Sequence, residues 1–123
     1  MASVYVNAGQ VWVVDVIDAT ATPGTHYIGW GTGAGTAGVT DTTLFTEATE
    51  ARSSATKSQP ATDTNQWVAT ITADGPKTIT NAGVFTATTA GTMLVKGDFT
   101  GIALDANDAI EFTITLQQKD ASE

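Results

Sequence analysis

The sequence predicts an all-β domain, a single antiparallel β-sandwich or jelly-roll-like barrel of about seven to eight strands. Three observations point there. Threonine makes up roughly a fifth of the residues, while the helix formers Leu, Lys and Glu are sparse. Short runs of alternating apolar and polar residues recur between turn signals at spacings of roughly 8–12 residues. No rhythm of strand, helix and strand interrupts them. With 123 residues the chain has room for one core and no second domain.

In chain order, residues 1–10 form an N-terminal arm or edge strand, in which Val4, Tyr5 and Val6 precede Asn7-Ala8-Gly9. The arm is expected to be detachable, leaving a folded domain over 11–117 and a polar C-terminal tail over 118–123. Val11-Trp12-Val13-Val14-Asp15-Val16-Ile17 is the first strong strand; it is apolar on nearly both sides, which suits a central or interface-facing position. Thr22-Pro23-Gly24 is a turn.

After His26-Tyr27-Ile28 comes a glycine-rich stretch with Gly29, Gly31, Gly33 and Gly35 at every second position and Gly38 soon after. It reads as a strand leaving the core followed by a loop over the end of the fold. Residues 40–43 suit one capped helical turn. Residues 48–58 read as extended and polar, and residues 59–64, with Pro60, as the most mobile loop.

The second half alternates more cleanly. Residues 66–72 and 77–80, joined by Asp74-Gly75-Pro76, read as one hairpin. Residues 81–86 and 92–99, joined through Thr89-Ala90-Gly91, read as another. In the last strand Ile110, Phe112, Ile114 and Leu116 alternate with Glu111, Thr113 and Thr115, after a turn over residues 105–108.

Charge narrows the function classes. Thirteen acidic against five basic residues give a net charge of −8, and the basic residues are scattered one to a segment. Nucleic acid is not an expected partner, because phosphate binding needs clustered Lys and Arg. Anionic membranes are disfavoured for the same reason. No charged n-region or apolar h-region opens the chain, so neither a signal peptide nor a membrane span is expected. Without cysteine there is no disulfide, thiolate metal site or thiol nucleophile.

The residues that carry chemistry elsewhere are thinly spread here. Gly33-Ala34-Gly35-Thr36-Ala37-Gly38 matches the dinucleotide fingerprint formally, but no helix long enough to receive a pyrophosphate follows, and a flexible loop is the better reading. His26 is the only histidine, and no serine stands in a nucleophile elbow. Asp105 to Asp108 form an Asx turn more readily than a calcium loop. No catalytic residue, cofactor or metal is expected. Glu47, Glu50 and Arg52, close behind Leu44-Phe45, form either a solvated charged face or a subunit-interface patch that includes Phe45. Trp12 and Trp67 suit the core, whereas Trp30, between two glycines, is expected to be the exposed aromatic.

Two stretches carry a resemblance. Residues 27–33, with Asp41-Thr42-Thr43-Leu44, Thr46-Glu47 and Glu50-Ala51-Arg52, and then Ile79-Thr80-Asn81-Ala82-Gly83-Val84-Phe85 followed by residues 91–99, are similar to patterns in small structural proteins of tailed bacteriophages. Within that group a compact, acidic, cysteine-free β-domain most resembles a head decoration, or cement, protein. The resemblance implies a non-enzymatic protein on the outer capsid surface of the virion. Its partner would be the major capsid protein, and it would form a homo-oligomer, a trimer in the typical case. Val4, Tyr5 and Val6 would then order on the capsid as a contact arm. The alternative is a tail- or fibre-associated domain that binds glycan in host adsorption through Trp30 or Trp67; a polysaccharide-degrading enzyme is a more distant rival.

Overall fold

The computed structural model describes residues 2–119. It is an all-β, sandwich-like fold of eight strands in two antiparallel sheets, with one short helix. The elements are β1 (Ser3–Tyr5), α1 (Asn7–Ile17), β2 (Tyr27–Gly31), β3 (Ser53–Ser54), β4 (Thr56–Ala61), β5 (Thr64–Thr72), β6 (Lys77–Phe85), β7 (Met93–Leu104) and β8 (Ala109–Gln117). One sheet has the order β1-β7-β6-β2-β3, the other β4-β5-β8. Of the expected tail, Gln118 donates its N–H to the Asp63 carbonyl at 2.8 Å, and residues 120–123 lie outside the described ones.

The inter-sheet core is built from alternate residues of facing strands. Trp67, Ala69 and Ile71 of β5 pack with Ile28 and Trp30 of β2 and with Ile79, Ala82 and Val84 of β6. A bulge between Ile79 and Asn81 reverses the side-to-side alternation of β6. Ile79 before it and Ala82 and Val84 after it therefore share the core. Phe85 instead joins Val6, Leu44 and Met93 in a second cluster.

Residues 11–17 are helical, not a strand. Their β-branched residues favour a strand only weakly, and tertiary packing overrides the preference. Gly9 is the decisive residue: it is buried, and a Cβ there would run into the Leu94 backbone, so α1 lies directly against β7. Trp12 turns inward at helical spacing, with Val13 and Val16 half-buried, while Val11, Val14 and Ile17 point outward, 59%, 56% and 78% exposed.

The expected β5–β6 hairpin also does not form. β5 pairs with β8 over nine residues and β6 pairs with β7, so residues 73–76 carry the chain from one sheet to the other. The matching apolar alternation of β5 and β8 decides this, setting Trp67 opposite Ile114, Ala69 opposite Phe112 and Ile71 opposite Ile110. The β6–β7 hairpin forms as expected. Residues 40–43 make no helical turn; Asp41 instead accepts the Gly38 N–H at 3.0 Å. Pro60 lies within edge strand β4, at a register shift where its missing N–H is tolerated.

Val4-Tyr5-Val6 is no detachable arm. Ser3, Val4 and Tyr5 pair with Gly97, Lys96 and Val95, and Val6 is fully buried. Val6→Ala should cost about 2 kcal/mol of stability in denaturant melts. Removing residues 1–9 should abolish the cooperative transition; an unchanged melt of the truncated chain would contradict this packing.

Candidate functional site

The glycine stretch is a packing surface for the segment that follows it. A Cβ on Gly31 would lie 2.5 Å from the Phe45 carbonyl oxygen, one on Gly33 2.7 Å from Thr46 Oγ1, and one on Gly35 2.7 Å from the Phe45 ring. With hydrogen in their place, Thr32 and Gly33 donate N–H groups to Thr46 and Phe45 at 3.0 and 2.8 Å, and Ala48 donates to Trp30 at 3.0 Å. The fully buried Asn81 closes the contact, accepting from Phe45 N–H at 2.9 Å and donating to its carbonyl at 3.1 Å. This packing explains the alternate glycines without any phosphate.

The charged residues that follow are occupied inside the fold. Arg52 donates to both Glu47 oxygens at 2.7 and 3.0 Å, caps the Ala87 and Ala90 carbonyls at 2.9 and 2.8 Å, and lies 3.5 Å over the Phe85 ring. Lys96 Nζ bonds Asp41 at 3.0 Å and the Thr43 carbonyl at 2.8 Å, 3.2 Å above the Phe45 ring. Glu50 accepts from the Trp30 indole and from Asp74 N–H, each at 2.9 Å, and pairs with Lys77. Phe45, Glu47, Glu50 and Arg52 are thus each engaged within the fold, Glu47 with Arg52, and Phe45 and Glu50 in two other contacts.

Trp30, expected outside, is 1% exposed. It stands edge-on to Phe112 with centroids 6.2 Å apart. The neighbouring glycines serve the loop packed against β2, and the indole itself points into the core.

Two open features remain on the surface. The first is β8. It pairs with β5 along one side, and among the described residues no strand occupies the other. It contains no Pro, Lys, Gly or bulge that would blunt an edge, and its one charged residue is the exposed Glu111. Beside it lies a half-open cleft of about 390 Å³, bounded by Phe112, Ile114 and Leu116 and floored by Tyr5 of β1 with Val95 and Phe99 of β7. Three strands face five, so β1 and the adjoining part of β7 lack a strand above them.

The second is a cavity of about 500 Å³ between the C-terminal half of α1 and the start of β5, lined mainly by apolar residues, among them Trp12, Val13, Val16, Ile17 and Trp67, with His26 beside them. Nothing in the sequence signals it, because the apolar run of residues 11–17 reads as a strand that carries Trp12 elsewhere and His26 stands alone.

Among the described residues, no group of three or more His, Cys, Asp or Glu side chains is placed to hold a metal. Among the same residues no helix is long and apolar enough to cross a membrane. No protein-family model matches the chain, and no curated protein matches it.

Burial opposes ionisation of Glu50, yet the bonds from Lys77, Asp74 N–H and Trp30 prevail and lower its pKa from 4.5 to about 2. A carboxyl depressed in the folded state stabilises the fold above its unfolded pKa, and that contribution disappears as pH falls from about 4.5 towards 2. Glu50→Gln should cost about 2 kcal/mol at neutral pH. It should also flatten the acid limb of stability measured by urea melts across pH 2–6, and an unaltered pH profile would exclude Glu50 as its source.

Proposed function

We propose that this chain is a structural protein of a tailed-phage virion, a head decoration protein that binds the outer capsid surface and ties neighbouring capsomers together. The observation that supports this most is the unprotected β8 edge with the unfilled cleft beside it. An extended segment of the major capsid protein would add to β8 through main-chain hydrogen bonds and place alternate apolar side chains over Tyr5, Val95 and Phe99. Repetition over a symmetric lattice would turn a modest single contact into strong cohesion. The resemblance to phage structural proteins supplies the setting, and the net charge of −8 suits a surface that must not capture DNA.

In this reading Tyr5 acts from within β1, as floor to the cleft, while Val4 and Val6 pack on the opposite face of the sheet, and none of them forms a separate arm. Copies of the chain would meet as a trimer through the outer face of α1, where Val11, Val14 and Ile17 are exposed. Val14→Glu should then shift the species seen in sedimentation equilibrium to the monomer, and a wild-type chain that is monomeric at high concentration would remove this surface from the proposal. A tail- or fibre-associated domain is the second reading, favoured by the aromatic cavity under α1.

Gold-labelled antibody to the chain, viewed on intact virions by electron microscopy, tests the location. Label over the head is the expected result. Label on the tail alone favours the second reading, and unlabelled virions overturn both. Ile114→Lys, which sets a charge into the cleft, should weaken head binding about tenfold or more, whereas Ile114→Val should bind as wild type.

A further inference from the structure

His26, the only histidine of the chain, is 4% exposed and meets both Trp12 of α1 and Trp67 of β5. Trp12 stands edge-on to the imidazole at a centroid distance of 5.0 Å, and Trp67 lies at 6.0 Å on a tilted plane. The Trp67 indole N–H donates to His26 Nδ1 at 2.9 Å, so Nδ1 is the bare nitrogen and the neutral ring carries its proton on Nε2. Nε2 is shielded, with the Pro23 backbone beside it. The contact therefore accepts one protonation state. A second proton would have to go on Nδ1, where it would meet the indole N–H, donor against donor, and leave a desolvated cation.

No carboxylate offsets that charge. Of the side chains that line the cavity around the ring, Lys57 of β4 is the only charged one, and its ammonium repels an imidazolium. Asp15 of α1 and Asp18 just after it are off the cavity wall and do not act on the ring. The Pro23 backbone alone favours the proton; burial first, and then Lys57, outweigh it and hold the pKa below 6.5. A folded-state value lower than the unfolded one leaves the contact at full strength above pH 6.5 and weakens it as pH falls. The other groups with lowered pKa values are carboxyls, Glu50, Asp41, Asp63 and Asp98, with ordinary values of 4.5 and 3.8. Between pH 6.5 and 4.5, His26 acts alone among them.

The packing of α1 makes the consequence local. Its first turn is fixed by Gly9 against the Leu94 backbone, and Val6 just before it is fully buried. Its C-terminal half rests on Trp12 and otherwise spans the cavity of about 500 Å³, with Val14 and Ile17 exposed. A half-helix over unfilled space has few other contacts to hold it once the one beneath Trp12 fails. We propose that Trp12, His26 and Trp67 form a pH-operated joint: protonation of His26 releases the C-terminal half of α1 from β5, while both sheets and the Gly9 contact stay in place. Release bares Trp12, Val13 and Val16 beside the already exposed Val11, Val14 and Ile17, so mild acid enlarges the apolar surface of the helix. The joint operates in the same way whether the protein sits on a head or a tail.

Amide hydrogen exchange of the full chain, followed residue by residue by NMR from pH 6.5 to 4.5 and corrected for the intrinsic rates, reads the release. Protection of Val13 to Ile17 should fall by up to about tenfold per pH unit, with the amides of β5, β6 and β7 unchanged. The His26 ring should titrate below 6.5. In His26→Asn an amide oxygen takes over from Nδ1 as acceptor and does not titrate, so this variant should keep α1 protected throughout. Lys57→Gln, a change on an exposed edge strand, should move the release to higher pH. Should His26→Asn fail to fold, the wild-type exchange profile and ring titration decide. A ring that titrates at 6.5 or above, or α1 protection that stays constant over this range, overturns the proposal. So does protection lost equally in α1 and both sheets, which would make His26 a contributor to global stability only.

Discussion

The rest of the structure depends on how closely residues 44–48 approach the glycine stretch that begins in β2. Backbone meets backbone there, with Gly31 and Gly33 directly under Phe45 and Thr46. That contact fixes where the chain can travel next: it delivers Glu47 and Arg52 to the end of the β6–β7 hairpin, and Glu50 to the Trp30 indole. It also sets the Phe45 ring beneath Lys96, whose charge is neutralised by Asp41. A buried lysine without that carboxylate would be costly. The three polar anchors are therefore consequences of one close approach, and they explain why an irregular segment of more than twenty residues between β2 and β3 holds a single path.

The same packing makes the two sheets unequal. Leu44 of the 37–52 segment and Val6, just after β1, pack against Phe85 and Met93 on the outer face of the five-stranded sheet, which buries much of β6 on both sides. The three-stranded sheet covers only part of the inner face. Its deficit falls at the β8 edge, where the apolar side of the strand looks into a cleft and not into a partner strand. A shorter sheet would ordinarily be protected by charge or proline. β4, the opposite edge, has Lys57 and Pro60 and is protected in this way. β8 has neither lysine nor proline, its one charge being the exposed Glu111, and this contrast between the two edges of one sheet is what supports β8 as the proposed contact element.

The sequence made the second half of the fold readable because alternation there has one meaning. β5, β7, β8 and the β6–β7 hairpin follow directly from residues such as Ile110, Phe112, Ile114 and Leu116. It misled at Val11 to Ile17, where a run apolar on all sides satisfies strand and helix equally, and the deciding residue, Gly9, acts through a contact with Leu94 more than eighty positions away. The β5–β6 connection failed for a related reason: a turn signal at Asp74-Gly75-Pro76 reports a change of direction, not the sheet that the chain enters. Glycines on both sides of Trp30 suggest openness in the sequence, whereas in the fold they mark close packing and the indole lies in the core. Of the surface features, the β8 alternation was legible, whereas the cavity under α1 joins Trp12, His26 and Trp67 across three separate elements and has no linear signature.

Charge then constrains how such a protein associates. Four of its five basic residues are held in contacts within the fold: Arg52 with Glu47, Lys77 with Glu50 and Asp74, Lys96 with Asp41, and Lys57 with the Gly24 carbonyl. What remains on the outside is predominantly acidic, so any two copies repel at long range, and any partner is approached without complementary lysines to offer. Adhesion must therefore come from short-range terms that work against a repulsive field. The backbone groups of β8 and the apolar faces of α1 and the cleft are of that kind, and salt that screens the repulsion strengthens contacts made through them. An acidic, lysine-poor exterior and an unblunted strand edge thus belong to the same physical solution: repulsion suppresses indiscriminate pairing of the exposed edge, and only a surface that fits the edge closely enough overcomes it.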